Sequence, residues 1–279
     1  KLLLLVIILS VTDCFAYERE PEAVRGVIDL RETAGPGFTI KLQGEWEFYW
    51  GKLLIPTDFL EHKLIKPDYY GRVPSYWTDY PPDSVRTTRL GFATYRLTVL
   101  LPPGWMNSLA FDLPVFDSSY EIYVDGKYMG GNGKPGKTAA ETVPWYERNF
   151  FRYNPASDTV RIIINVSNFH HRRGGFWLPM KMGTFNEVQK KYSSDWAKDW
   201  ATLSFLLGFS LLFLFFFLIF TKDSLMAFFS LATVGLAIRP LFTANFLIHY
   251  ITKISWDWIV RYEYLGLYVI LTGWYWFAV

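Results

Sequence analysis

The sequence predicts an all-β jelly-roll sandwich followed by an α-helical transmembrane bundle. Three observations support this prediction. Short strand-like runs separated by Gly/Pro loops fill the first two-thirds of the chain, with no convincing helix between them. The run Ala201–Phe220 then contains neither charge nor proline, which matches the roughly 20 residues that a helix needs to cross a bilayer. The chain also opens with a basic, then apolar, then small-residue pattern typical of a secretory signal peptide.

The leading segment KLLLLVIILSVTDCFA predicts export of the domain that follows it. We expect a signal peptide over 1–16 and a mature chain that begins at Tyr17. An N-terminal membrane anchor is the alternative, although the apolar run is short for a span. The single cysteine, Cys14, lies in this segment, so we expect no disulfide and no thiolate zinc site in the mature protein. Because the chain starts without Met and stops in an apolar run, we expect a fragment.

The strands are predicted from alternating or continuous apolar runs bounded by turn residues. We place them at Gly44–Trp50, Ala93–Leu101, Leu109–Leu113, Tyr120–Val124, Lys127–Met129, Val160–Val166 and Phe176–Met182. Asp125-Gly126 is typical of a tight hairpin turn. Pro179 argues for an edge position of the last strand, because proline cannot donate to a ladder. We assign 17–183 to an extracytoplasmic β-sandwich sensor domain and 184–199 to a polar linker with helical character.

The transmembrane region is expected from 200 to 279, with spans near 201–220, 224–247 and 258–279. An exported domain ahead of the first span fixes the orientation, so we expect a multi-pass inner-membrane protein with its β domain in the periplasm. The loop charges agree poorly with this orientation. Three lysines fall on the external side against the positive-inside rule, whereas Lys222 alone supports the internal turn. The three are Lys190, Lys191 and Lys198.

Several function classes are disfavoured by the composition. A formal net charge of +2 over 279 residues is too small to suggest a nucleic-acid partner. The sequence holds no paired-carboxylate site, no Gly-x-Ser-x-Gly elbow and no H-E-x-x-H motif, so we expect no enzyme within this chain and assign no catalytic residue, metal or cofactor. Gly131–Thr138 matches G-x-x-x-x-G-K-[ST], but it follows a hairpin rather than opening a helix. We therefore expect a glycine-rich loop and not a nucleotide site.

The densest polar cluster is Ser167–Trp177, a loop that follows a strand and contains two adjacent glycines. Guanidinium and imidazole donors beside an indole face would suit a sugar or a carboxylate. The other interpretation, that these residues only pack against neighbouring loops or the membrane surface, stays open. A zinc site is disfavoured because adjacent histidines in extended chain point to opposite faces. The candidate ligand-binding residues are Asn168, His170, His171, Arg172, Arg173 and Trp177, with Lys134 and Lys137 of the glycine-rich loop.

Arg239 is an ionisable residue well inside the second predicted span, where such groups are costly and face a partner or the bundle interior. Counting along the helices places Glu263 at a similar depth, so an Arg239–Glu263 pair is our hypothesis. Arg261 is the alternative partner for Glu263, and snorkelling of Arg239 to the headgroups is the alternative to any pair. Pro240 is expected to bend the helix beside it.

Several segments together resemble a known family. They are LQGEWEFYWGKLL, VPSYW, GFATYRLTVLLP, YEIYVDGKYMGGNGKPGKT, INVSNFHHRRGGFWLPMKMG and, in the membrane region, RYEYL. The chain after the signal peptide resembles the exported sensor domain and first spans of bacterial seven-transmembrane receptors with diverse intracellular signalling modules. That resemblance implies a galactose-binding-like fold, seven spans and a cytoplasmic cyclase, kinase or phosphatase. The β domain is also similar, more weakly, to the jelly-roll domain of family 2 glycosidases.

The expected function is that of a membrane-bound signalling receptor. Its external domain is expected to sense a small extracellular ligand, with carbohydrate as one candidate, and to transmit through the bundle to an output domain. Two alternatives remain open. The β domain could be a structural or interaction module while the bundle senses, or the protein could be a membrane-tethered enzyme whose catalytic domain lies beyond 279. The expected partners are the ligand, the lipid bilayer and, as a further candidate, a second copy of the chain.

Overall fold

The computed structural model describes residues 20–60, 65–116 and 118–278. The predicted signal peptide, 1–16, lies outside these residues. The described chain forms two packed β-sheets followed by helices. In chain order the strands are β1 (Val27–Asp29), β2 (Thr39–Lys41), β3 (Gly44–Trp50), β4 (Tyr69–Val73), β5 (Gly91–Leu100), β6 (Leu109–Leu113), β7 (Ser119–Val124), β8 (Lys127–Asn132), β9 (Asn149–Tyr153), β10 (Thr159–Asn168) and β11 (Lys181–Thr184).

The larger sheet has the strand order β4-β3-β5-β10-β7-β8, and β1 adds to β5 in parallel. All its other pairings are antiparallel, as are those of the smaller sheet, β2-β11-β6-β9. β10 is almost continuously buried because it pairs with β5 on one side and β7 on the other. This explains why its apolar run does not alternate. The coarse prediction of an antiparallel sandwich is confirmed.

Aromatic side chains fill the space between the two sheets. Phe116 stacks on Tyr120 with ring centroids 4.5 Å apart and on Phe176 at 4.3 Å. Trp46 meets Phe176 edge-on at 5.3 Å. All four side chains are fully buried. The high aromatic content of the first two-thirds therefore belongs to a core that needs large rings to fill it.

The last strand differs from the prediction. Phe176–Met182 was expected as an edge strand, but 176–180 is irregular and β11 begins only at Lys181. β11 lies between β2 and β6, so it is not at an edge. Pro179 precedes the ladder and therefore removes no hydrogen bond from it.

The helices are α1 (Phe185–Phe216), α2 (Ser224–Phe242), α3 (Ile248–Ile251) and α4 (Trp256–Ala278). The segment predicted as a linker is helical and continuous with the first predicted span. A π-helical turn, Phe217–Thr221, ends it before the predicted polar turn. Within the residues that the structure describes, two helices are long and apolar enough to cross a membrane, Phe185–Phe220 and Ser224–Phe242.

The second predicted span, 224–247, is shorter than expected, because α2 stops at Phe242. Pro240 lacks an amide hydrogen and lies in the last turn of the helix. The hydroxyl of Thr243 then donates to the carbonyl of Arg239 at 2.8 Å. Beyond this point Ala244 and Phe246 have positive φ, so the chain turns sharply instead of continuing the helix.

The helices pack through small residues. A Cβ added at Gly273 of α4 would lie 2.6 Å from the backbone nitrogen of Ala232 in α2. Ser210 of α1 and Ser230 of α2 face each other with their hydroxyl oxygens 2.9 Å apart. Each hydroxyl also reaches the other residue's carbonyl. Close small-residue contacts and paired hydroxyls are typical of helix association in lipid.

Candidate functional site

The predicted loop at Ser167–Trp177 is held in shape by Asn168, whose side chain is buried. Its Oδ1 accepts the backbone N–H of His171 at 2.9 Å. Its Nδ2 donates to the carbonyls of His171 at 3.0 Å and Arg89 at 3.2 Å. The carboxamide of Asn168 is thus engaged in closing a turn.

The two glycines of the loop are required by a close approach to Trp77. A Cβ at Gly174 would lie 2.1 Å from the Trp77 ring, and one at Gly175 would lie 2.6 Å from the Trp77 backbone nitrogen. Gly175 also has φ +138, which favours glycine. The glycines therefore fix the path of the loop over the sandwich.

The remaining predicted loop residues point in different directions. The ring of His170 lies 5.7 Å from that of Trp256 in α4, so it contacts the helices. Arg173 lies over the ring of Tyr76 at 5.1 Å, and Arg172 is exposed. The contacts of His170 and Arg173 support packing rather than a shared ligand site.

His171 and Trp177 are the members of the predicted loop that line a cavity. Their rings are nearly parallel, with centroids 6.2 Å apart. The Nδ1 atom of His171 lies 2.8 Å from the carbonyl of Arg173. The Nε1–H of Trp177 is buried and finds no hydrogen-bond partner among the described residues. A buried indole donor without a partner is costly to the folded state.

Lys134 and Lys137 lie elsewhere, on the glycine-rich loop after β8, and neither lines this cavity. The hydroxyl of Ser167 fastens that loop to β10. It accepts the amide of Gly136 at 3.1 Å and donates to its carbonyl at 2.7 Å. The chain continues after Thr138 in turns and not in a helix, which fits the expectation against a nucleotide site.

A polar cluster that the sequence analysis missed joins the sandwich to the helices. Arg148, just before β9, donates two hydrogen bonds to Asp112 of β6, at 2.7 and 2.6 Å. It also donates to Asp195 of α1 at 3.2 Å and to Asn245 of the α2–α3 loop. Asn245 in turn donates to Asp199 of α1 at 2.7 Å. One guanidinium thus connects the smaller sheet to α1 and to the α2–α3 loop, and it holds Asp112 in the forked geometry that suits carboxylates.

The segment preceding Arg148 is also docked on the helices. The Nε2 atom of His249 in α3 lies 2.9 Å from the carbonyl of Tyr146, and its ring stacks on Trp145 at 4.7 Å. Lys253 pairs with Glu147 at 2.9 Å. We call this contact between 145–148 and 243–253 the junction. The only sequence signal for it was a cluster of aromatic and charged residues directly after Pro144.

The pKa values of His249 and Glu147, two of the ionisable groups at the junction, are both lowered. Burial lowers the pKa of His249, and the Tyr146 carbonyl opposes this effect only in part. Burial by itself would raise the pKa of Glu147. Hydrogen bonds from Trp145 and Lys253 outweigh it and hold the pKa of Glu147 below its ordinary value. The folded junction therefore favours a neutral imidazole and an ionised carboxylate.

The cavity has a volume of about 670 Å³ and lies beside the junction. Its walls come from the sandwich, α1, the α2–α3 loop and α4. The apolar lining includes Val115, Leu178 and Phe246. The charged lining consists of Asp112, Arg148, Lys181, Asp195, Lys198, Asp199 and Glu263. Concave sites of this size, apolar with a few convergent polar groups, are typical of ligand pockets.

The predicted polar pair lies at this end of the helices. Glu263 lines the cavity, and its carboxylate is within electrostatic range of Arg239 and His171. No ion pair between Arg239 and Glu263 forms within the described ranges, and the pair stays a prediction. Arg261 instead lies over the ring of Trp258 at 5.1 Å. Among the same residues, no group of three or more His, Cys, Asp or Glu side chains could hold a metal ion.

No family model matches the chain, and no curated protein matches it. The solved structures that are similar to part of this chain include bacterial glycosidases. A GH2 β-galacturonidase from Eisenbergiella tayi has 14% identity and a TM-score of 0.36, covering 53% of this chain and 24% of the enzyme. A β-glucuronidase from Ruminococcus gnavus has 12% identity and a TM-score of 0.40, covering 59% and 30%. β-Glucuronidase 2 from Bacteroides uniformis has 18% and 0.37, covering 53% and 18%.

The chain thus matches less than a third of the length of these enzymes. At these identities and TM-scores the likenesses say nothing about what the chain binds or does. They also do not test the receptor-family resemblance, which stays a prediction.

Proposed function

We propose that the chain is the sensing part of a membrane-bound signalling receptor. The sandwich, with a galactose-binding-like jelly-roll topology, lies outside the inner membrane and senses a small extracellular ligand. The helices belong to a seven-span bundle that passes the signal to a cytoplasmic output domain. Carbohydrate remains one candidate ligand class.

The observation that carries this proposal is the junction with its adjoining cavity. A receptor needs a contact between the sensing domain and the membrane helices that a ligand can alter. Arg148 and the Glu147–Lys253 pair form such a contact. Arg148 itself lines the cavity, and Glu147 is the residue before it in the chain. A ligand shifts such an equilibrium only if it binds one arrangement more tightly than the other.

The test is cysteine trapping across the junction with a bis-maleimide, in the whole chain in detergent and with Cys14→Ser as background. A spacer reagent is used because an ion pair between two long side chains does not bring their Cβ atoms to disulfide distance. The trapping pair is Glu147→Cys with Lys253→Cys, whose native Oε1 and Nζ atoms are 2.9 Å apart. A matched control pair, Lys52→Cys with Asp68→Cys, replaces an ion pair of the same 2.9 Å length inside the sandwich. Ligands are first found by thermal shift with panels of sugars, organic acids and amino acids.

We expect a stabilising ligand to change the rate of trapping at the junction while the control pair is unaffected. Equal response of both pairs would contradict transmission through the junction. No thermal shift with any panel would favour the alternative that the sandwich is an interaction module.

A further inference from the structure

The cavity beside the junction contains charged groups that the fold does not use. Four of its charged lining residues already form hydrogen bonds within the fold. Arg148 is held by Asp112 and Asp195, and Asp199 accepts from Asn245. These bonds explain why such charges are tolerated at a partly buried site.

Lys198 and Glu263 are different. Neither forms a hydrogen bond or an ion pair with another described residue, although both line the cavity. Lys181 forms an ion pair with Asp112 at 3.7 Å but no hydrogen bond. The cavity wall thus carries one carboxylate, Glu263, and two ammonium groups that make no hydrogen bond with another described residue.

The free charges are separated by sign. Lys198 lies one helical turn from Asp195 in α1, and Asp195 is linked through Arg148 to Asp112, which Lys181 approaches. Both ammonium groups therefore belong to the α1 and β11 side. Glu263 comes from α4 instead, and Arg239, which lies within its electrostatic range, does not line the cavity, whereas His171 does. A single ligand between them would meet cations at one end and an anion at the other.

We propose that this cavity binds a zwitterion, an amino acid or short peptide with a free ammonium, a free carboxylate and an apolar body. The carboxylate is held by Lys181 and Lys198. The ammonium is held by Glu263, and the body packs along the apolar wall formed in part by Leu178 and Phe246.

The signalling effect of such a ligand rests on the receptor function proposed above, but its binding can be measured separately. Such a ligand would touch β11, α1 and α4 at once. These are elements of the sandwich and of the membrane helices, so occupancy would favour one arrangement of the two.

The experiment measures thermal shift and affinity with the whole chain in detergent. The zwitterionic probes are L-leucine, L-phenylalanine and the dipeptide leucyl-phenylalanine. N-acetyl-L-phenylalanine lacks the ammonium and L-phenylalaninamide lacks the carboxylate, while D-glucose and D-glucuronate represent sugars. The variants are Lys198→Gln and Glu263→Gln. Lys190→Gln is the matched control, because Lys190 is an exposed lysine of the same helix that does not line the cavity.

We expect a zwitterionic probe to raise the melting temperature. Glu263→Gln should weaken binding of L-phenylalanine about tenfold while leaving the N-acetyl derivative unaffected, and Lys198→Gln should weaken L-phenylalanine about tenfold without affecting the amide. The control should bind like the parent chain. Comparing derivatives on one protein keeps the test valid even if a variant folds poorly.

The outcomes separate this inference from the receptor function. Stabilisation by sugars but by no zwitterion would overturn the inference and leave the receptor function standing. Zwitterion binding that does not alter bis-maleimide trapping at the junction would support the site and count against the receptor function. Equal losses for a probe and its blocked derivative would show that the charges do not make the contacts assigned to them.

Discussion

Replacing Arg148 with Met should destabilise the protein more than any exposed ion-pair substitution. The Arg148 side chain is 10% exposed and that of Asp112 is 3% exposed. Without the guanidinium, Asp112 keeps only the ammonium of Lys181 at 3.7 Å. Removing one partner of a buried pair leaves an uncompensated charge and costs about 3–5 kcal/mol. For a unit of this size that corresponds to a fall in melting temperature of roughly 6–20 °C.

The assay is thermal unfolding of the whole chain in detergent, in which circular dichroism monitors the loss of β structure. A matched control is Arg31→Met, because Arg31 pairs with Asp29 at the same 2.6 Å but with side chains 57% and 49% exposed. Exposed pairs contribute about 0–1 kcal/mol, so this variant should unfold close to the parent chain.

A double variant tests the physical reason. If the cost of Arg148→Met comes from the orphaned carboxylate, adding Asp112→Leu removes that charge and should restore much of the lost stability. A double variant no more stable than Arg148→Met alone would refute the reasoning. So would a single variant that unfolds with the Arg31→Met control.

Three further predictions concern the junction and the helices. The pKa of His249 is lowered on folding from its ordinary value of 6.5. The stability that its neutral imidazole contributes is therefore fully present above pH 6.5 and is lost as the pH falls through the pKa of the folded state. Melting followed against pH should therefore show acid destabilisation that His249→Gln reduces, and an unchanged slope would contradict this. Gly273→Val should separate α2 from α4 and lower the melting temperature, whereas Gly208→Val, with nothing within 4 Å, should not. Ser210→Ala should cost about 0.6–2 kcal/mol because it removes the hydroxyl that bonds the Ser230 side chain and carbonyl, and a neutral result in detergent unfolding would argue against that pair.

Strands with a strong local pattern were predictable from sequence. β3 and β6 begin and end where the apolar runs predict, at Gly44–Trp50 and Leu109–Leu113. Four strands, β1, β2, β4 and β9, were missed. β4, with the sequence YYGRV, contains a glycine and an arginine, and β1 and β2 have only three residues each. Such strands form because they hydrogen-bond to a neighbouring strand, and the residues of that neighbour can lie far away in the sequence.

The candidate site was only partly predictable for a related reason. The loop with His171 and Trp177 was recognisable because charge, aromatic residues and glycines cluster within a few positions. The cavity itself also needs Arg148, Lys198 and Glu263, which are contributed by segments far apart in the chain. Only the packing of the sandwich on the helices brings them together, and no spacing rule reports that contact.

The direct passage from β11 into α1 has a mechanical consequence. Thr184 is both the last residue of β11 and the residue that precedes the first turn of α1, so strand and helix share one boundary without a hinge. At 1.5 Å per residue, the 32 residues of α1 form a rod about 48 Å long. If the sandwich leans by about 10°, a straight rod fixed to it moves its far tip by roughly 8 Å. A small rocking motion of the sandwich is thus amplified into a larger sideways movement at the Phe216 end of α1.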